Sequence, residues 1–132
     1  MTIYSGGCLC GQARFTASGE ASRIGICHCF TCRKSGGSIF GAFAIYPTDA
    51  VAVSGLVSAV HSSASGRRFR CVSCGSPVYE RDENSDEIEL PLGAFDDIGI
   101  FIPTYESWTI RREHWLPALP SIRQSNETDR QA

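Results

Sequence analysis

Cys71-Val72-Ser73-Cys74-Gly75 is the stretch on which the fold turns. Two cysteines spaced by two residues and followed by glycine make a knuckle. Both thiolates face one ion, and the glycine takes the positive φ that closes the turn. Gly6-Gly7-Cys8-Leu9-Cys10-Gly11 offers a second knuckle near the start of the chain, with Gly11 in the same role as Gly75 and Gly6-Gly7 letting the backbone turn. Between them lies Cys27-His28-Cys29-Phe30-Thr31-Cys32. All 7 cysteines of the 132 residues fall in these three clusters.

Seven ligands divide into four and three, which predicts two Zn²⁺ sites. The middle cluster is short enough for Cys27, Cys29 and Cys32 to reach one ion unaided, leaving Cys8 and Cys10 to join Cys71 and Cys74. Spacing leaves an alternative open, in which Cys27 and Cys29 join Cys71 and Cys74, and Cys32 joins Cys8 and Cys10. Four thiolates fill a tetrahedral sphere and read as structural; three leave a position for water or substrate. The competing reading is that His28 or an acidic residue closes the second site. His28 lies between two ligands and is expected to point away from their metal. A disulfide framework is disfavoured by the odd count and by the strain of C-x-C bridges. Met1 to Gly7 lack the features of a secretory leader. A cytoplasmic location is therefore expected, where thiols stay reduced.

The chain's length fits one domain, assigned to residues 1–120, with a polar tail over 121–132 expected to be disordered. A hydrophobic fraction of 42% and a net charge of −2 predict a soluble protein without nucleic-acid or membrane partners. No apolar run approaches a membrane span. Short β-like runs recur at 13–17, 23–27, 39–46, 51–53, 56–60, 67–71, 77–80, 87–92 and 108–110, separated by turns such as Ser54-Gly55 and Ser65-Gly66. Many short strands with such spacing predict a mainly β fold of short antiparallel strands stapled by zinc knuckles. Helical turns are expected only at Phe30–Ser35 and near Arg111–Trp115.

A zinc ion with three thiolates is a weak Lewis acid toward water and a good acceptor of a fourth sulfur. The second site therefore predicts a thiol substrate. Arg33 and Lys34 follow the triad, and Arg67, Arg68 and Arg70 precede Cys71. Of these, Arg33, Lys34 and Arg70 are the chosen candidates for holding the carboxylates of a thiol peptide, against the plainer reading of a solvated basic face. His61 and His114 are expected to be ordinary surface or core residues, and Trp108 and Trp115 core aromatics. Tyr105, Asp96 and Asp97 are weaker cleft candidates.

The cysteine motifs, with Gly36-Gly37-Ser38-Ile39-Phe40-Gly41-Ala42, Leu92-Gly93-Ala94-Phe95-Asp96-Asp97 and the segment from Glu106-Ser107-Trp108 to Trp115, resemble the glutathione-dependent formaldehyde-activating enzyme and centromere protein V family. The resemblance spans nearly the whole chain in family order. It implies a single Mss4-like domain of contorted β-sheet with two zinc ions. Cys8, Cys10, Cys71 and Cys74 would hold the structural ion; Cys27, Cys29 and Cys32 would hold the catalytic one. It further implies a carbon–sulfur lyase acting on glutathione and an aldehyde, in the manner of S-hydroxymethylglutathione formation. Where many relatives carry a histidine, this chain has Thr104-Tyr105, so that imidazole has no counterpart here. His28 is the candidate base for the hemithioacetal hydroxyl. Two other readings are a non-catalytic zinc-stapled interaction module and a thiol-redox or metal-sensing protein.

Overall fold

The computed structural model of the chain describes residues 1–127. Phe43, Ala44, Ile45 and Tyr46 are all buried. A strand with four consecutive buried side chains must be covered on both faces. That strand, β4 (Gly41–Pro47), runs antiparallel between β3 (Arg23–Cys27) and β9 (Glu87–Pro91). Beyond β9 the sheet continues through β8 (Pro77–Asp82), β7 (Gly66–Cys71) and β6 (Val57–His61), all antiparallel. Beyond β3 it continues through two parallel pairings, to β10 (Tyr105–Ser107) and then β11 (Arg123–Gln124). A second sheet joins β1 (Ile3–Gly7), β2 (Arg14–Ser18) and β5 (Val51–Ser54).

Side chains alternate between the faces of a strand, and β4 divides accordingly. Ala44 and Tyr46 pack with Phe15 and Ala17 of β2 and with Val78, Ile88 and Leu90, which welds the two sheets together. Phe43 and Ile45 turn to the opposite face, where they meet Cys27 and Cys32. Burying Tyr46 or Leu90 completely contributes about 2 kcal/mol each. Cys27 and Cys32 therefore sit on the second face, away from the main core.

The architecture is mainly β, as the sequence predicts. The one α-helix among the described residues, α1 (Phe30–Gly36), falls where the helical turn is expected. No helix among the described residues is long and apolar enough to cross a membrane. Several local expectations fail for identifiable reasons. Gly6-Gly7 read as a turn but lies within β1. A Cβ on Gly6 would come 2.4 Å from the carbonyl oxygen of Ala94 and 2.5 Å from the Phe15 ring, so glycine serves close packing there. The strand expected at 108–110 instead occupies Tyr105–Ser107, because Trp108 adopts φ 55° and ends it, and a 3-10 turn follows at Thr109–Arg111. The helical turn expected near Arg111–Trp115 is this 3-10 turn, which ends at Arg111 and does not extend to Trp115, and Trp115 is 70% exposed rather than in the core. The tail expected to be disordered over 121–132 departs from that reading in its first part. Arg123–Gln124 adds to the edge of β10 through backbone hydrogen bonds, which require no apolar pattern. Residues 128–132 lie outside the described residues.

Candidate metal centres and the adjoining cleft

Four sulfurs, from Cys8, Cys10, Cys71 and Cys74, lie within 4.8 Å of one another. Cys8 Sγ is 3.6 Å from Cys10 Sγ, which is 3.8 Å from Cys71 Sγ. Zinc–sulfur bonds near 2.3 Å place tetrahedral sulfurs about 3.8 Å apart, so the donor set fits zinc. Backbone amides point at the sulfurs: Ala13 N–H donates to Cys8 Sγ at 3.3 Å, and Ser73 N–H to Cys71 Sγ at 3.3 Å. Gly11 (φ 81°) and Gly75 (φ 76°) make the left-handed turns that their position after a ligand predicts. Hydrogen bonds from the hydroxyl and N–H of Ser76 hold the Cys74 thiol down at about 5. Gln12 adds a support that the sequence does not announce. Its Nε2 donates to Cys71 Sγ at 3.2 Å and to the carbonyl of Leu56 at 2.9 Å.

The second cluster brings Cys27, Cys29 and Cys32 within the same 4.8 Å. Among the described residues the cysteines divide four and three, and the alternative grouping does not occur. Cys27 ends β3, and Cys29 is the N-cap of α1, its Sγ accepting from Cys32 N–H at 3.3 Å. One turn of helix then returns Cys32 to the other two sulfurs. Hydrogen bonds from Cys27 and then Cys32 pull the Cys29 thiol down to about 2. The bond to Cys29 foremost pushes Cys27 up to about 11, and those to Cys27 and Cys29 push Cys32 up as well. Three sulfurs compete for few protons here, which is a donor set suited to a soft divalent cation. Cys27 and Cys32 are 7% exposed, whereas Cys29 is half-buried.

These three sulfurs line a cleft of about 580 Å³, together with Phe43, Ile45, Arg68, Glu80, Tyr105, Trp108 and Arg111. Arg68 on β7 spans the site. Its Nη2 lies 3.6 Å from Cys32 Sγ and its Nη1 donates to Glu80 at 2.8 Å. Glu80 pairs across the sheet with Arg68 on one side and Glu89 on the other. Burial foremost, then the charge of Glu89, push its carboxyl up to about 8, against the opposing charge of Arg68. At the rim the Arg111 guanidinium lies 4.0 Å from the Phe30 ring centre and 5.2 Å from that of Trp108.

The other sequence candidates take different places. His28 is completely buried, and it does not line the cleft. Its N–H donates to the carbonyl of Ser107 at 3.0 Å and its Nε2 meets Glu106 Oε1 at 2.8 Å. Glu106 Oε2 accepts from Leu119 N–H at 2.8 Å and Gln124 Nε2 at 2.9 Å. Burial pushes the Glu106 carboxyl up, but the bonds from His28, Gln124 and Leu119 and the charge of Arg112 outweigh it and leave it below the usual range. An ionised Glu106 accepts, so the proton sits on His28 Nε2. The pair ties the Cys27–Cys29 turn to β10 and β11. Replacing Glu106 with glutamine turns an amide donor toward these donors and is expected to cost about 2 kcal/mol in chemical denaturation of the zinc-loaded protein. An unchanged midpoint would mean that the pair is not a tether.

Arg33 bonds Glu113 at 2.6 Å and the carbonyl of Ile39 at 3.1 Å. Arg70 bonds the carbonyls of Gly75 and Ser35, bracing the knuckle against the end of α1. Lys34 is exposed. None of the three lines the cleft, where the cations are Arg67, Arg68, Arg81 and Arg111. Asp96 pairs with Arg14, and His61 and His114 are exposed. Sequence reasoning missed Arg68 as a sulfur partner, Glu80 and Arg111. The prior signal was the charge gathered on these strands, Arg67, Arg68 and Arg70 in β7 and Glu80, Arg81 and Asp82 in β8.

A family model described as glutathione-dependent formaldehyde-activating enzyme matches residues 3–111. An uncharacterized lyase of Schizosaccharomyces pombe is 34% identical over 60% of this chain and 58% of its own length. A Penicillium rubens protein named "putative glutathione-dependent formaldehyde-activating enzyme" is 26% identical over 76% of this chain and 52% of its own. An Emericella nidulans protein of the same name is 27% identical over 70% of this chain and 47% of its own. The chain thus spans about half the length of these relatives. The crystal structure of a Rhodobacter sphaeroides protein from a structural genomics programme matches with a TM-score of 0.60 and 16% identity, over 73% of this chain and 91% of that one. That match supports the fold alone.

Proposed function

Since the chain belongs to the glutathione-dependent formaldehyde-activating enzyme family, we propose that it is a zinc-dependent carbon–sulfur lyase joining a small thiol such as glutathione to an aldehyde. The observation that carries this reading is the three-sulfur cluster in the wall of a large cleft. The four-sulfur cluster lies outside that cleft and acts as a staple. A zinc ion held by Cys27, Cys29 and Cys32 would supply a fourth position that favours thiolate sulfur over water. In synthesis the thiol sulfur bonds to the carbonyl carbon, and the thiol's proton ends on the former carbonyl oxygen. No oxidant or reductant enters.

The surrounding residues divide the remaining work. Arg68 donates to Cys32 and offsets the negative charge of the sulfurs. Arg111, braced between two rings, is available for a carboxylate of the thiol peptide. Glu80 replaces His28 as the proton carrier, because it lines the cleft and His28 does not. In adduct formation Glu80 acts as an acid, delivering the proton that the thiol gives up. In cleavage the Glu80 carboxylate takes that proton back, and because the two directions share one transition state with no net proton, exchange in both should rise as pH increases toward about 8 and level off above it while the free thiol stays protonated.

The test is exchange NMR of glutathione with formaldehyde, with and without the zinc-loaded protein, across this pH range. The wild type should accelerate adduct exchange with a limb near pH 8. Glu80→Gln should lower the rate about a hundredfold and remove the limb. No acceleration by the wild type would overturn the lyase reading in favour of a non-catalytic module.

A further inference from the structure

A second cavity, of about 290 Å³, adjoins the cleft. Cys32, Phe43, Arg68 and Glu80 line both, so the Arg68–Glu80 ion pair stands at the junction. Beyond it the second cavity is walled chiefly by Phe40, Phe69, Tyr79 and Pro91, with Arg70, Ser35 and Ser38 also lining it. Phe69 and Tyr79 stack with ring centres 4.4 Å apart and planes 16° from parallel. The two cavities therefore differ in kind. The cleft holds the sulfurs and most of the charges, and its neighbour is aromatic.

Formaldehyde is scarcely larger than a water molecule, which takes about 30 Å³ of liquid volume. It is also strongly hydrated and gains nothing from aromatic walls. A cavity of about 290 Å³ accommodates roughly seven or eight non-hydrogen atoms at ordinary filling. An apolar wall stabilises an apolar substituent, and each methylene there changes specificity about tenfold or more. The junction is where a carbonyl would have to lie to meet both a thiol beside Cys32 and the proton carrier Glu80.

We infer that the aromatic cavity holds the side chain of the carbonyl substrate, and that this enzyme acts on an aldehyde bearing an apolar group about the size of a benzyl ring. The inference rests on the lyase reading above and adds its second substrate. The chemistry is unchanged: the sulfur–carbon bond forms as the carbonyl π bond becomes an O–H bond.

Gly36 and Gly93 give a clean way to close the cavity. Both line it, neither has a positive φ, and a Cβ on either would meet nothing within 4 Å. Side chains placed there enter open space without displacing the backbone, so folding is expected to survive. Phe69→Ala would remove part of the wall instead, at some risk to packing.

The experiment compares phenylacetaldehyde with formaldehyde, each with glutathione, using the zinc-loaded protein. It also titrates the ¹⁵N-labelled protein with 2-phenylethanol, an unreactive analogue. The kcat/KM ratio of phenylacetaldehyde to formaldehyde should exceed ten and fall at least tenfold in Gly93→Phe and in Gly36→Leu. 2-Phenylethanol should shift the amides of Phe69, Tyr79 and Gly93, and these shifts should vanish in Gly93→Phe. If formaldehyde reacts and phenylacetaldehyde does not, the inference falls while the lyase reading stands. A ratio untouched by both glycine variants, or amide shifts confined to other residues, overturns it equally. If neither aldehyde reacts, the lyase reading fails and takes the inference with it.

Discussion

Cys71→Ser should leave a protein that binds one zinc or none and no longer melts cooperatively near the wild-type temperature. Cys71 is 2% exposed, at the end of β7, and its sulfur accepts from Gln12, Ser73 and Cys74. It is both a proposed metal ligand and part of the core that joins the two sheets. Structural zinc in small sites supplies about 10–16 kcal/mol of apparent binding free energy, and that energy is folding energy. Whole domains are stable by only about 5–15 kcal/mol. Even a loss of about 5 kcal/mol would lower Tm by roughly 20 °C for a chain of this size. The check is thermal unfolding by circular dichroism alongside elemental analysis of the purified protein. A variant that melts at the wild-type temperature with its full zinc complement would remove the staple from the account.

The division of the cysteines was readable because it depends on local geometry. A knuckle needs two thiolates at short spacing and a residue that tolerates positive φ, and Gly11 and Gly75 mark both turns in the sequence. Phe43 to Tyr46 read correctly as strand because an unbroken apolar run has few alternatives. β10 did not, because Tyr105-Glu106-Ser107 has no alternating pattern: all three are buried. They are held by parallel pairing to β3, where the Tyr105 ring occupies the space that a Cβ on Gly25 would need.

The site was only half legible for a related reason. His28 and Glu106 are 78 positions apart, and nothing local says that the imidazole is satisfied by a distant carboxylate. An exposed histidine beside two ligands is a natural base; a buried one held by an ionised glutamate is a tether. Glu80 suffers the opposite misreading. In Pro77–Asp82 its charge suggests a solvated strand face, whereas that face is the wall of the cleft. Arg33 and Arg70 adjoin cysteines in the sequence, which makes them natural candidates for substrate contacts. Arginine so placed also serves to close the backbone around the cluster, and both do so here.

Cys29→Ser should separate function from folding more sharply than any other change at the second cluster. Cys27 and Cys32 are buried beside Phe43 and Ile45, so altering either disturbs packing as well as metal binding. Cys29 is half-buried, and its sulfur caps α1 by accepting from Cys32 N–H. Serine is among the best N-cap residues, so its hydroxyl can keep that bond while withdrawing the thiolate. A neutral hydroxyl is a poor zinc ligand, and two thiolates hold the ion far less tightly than three. The expected result is one zinc per chain instead of two, a Tm within a few degrees of wild type, and adduct exchange slowed at least a thousandfold, equivalent to about 4 kcal/mol of barrier. Zinc analysis, melting and exchange NMR on one preparation check all three. If Cys29→Ser melts as early as Cys71→Ser, both clusters are staples and the cleft has lost its metal chemistry. If it keeps wild-type exchange with one zinc, catalysis belongs to Arg68 and Glu80 without the ion, and the role given to the three sulfurs is wrong.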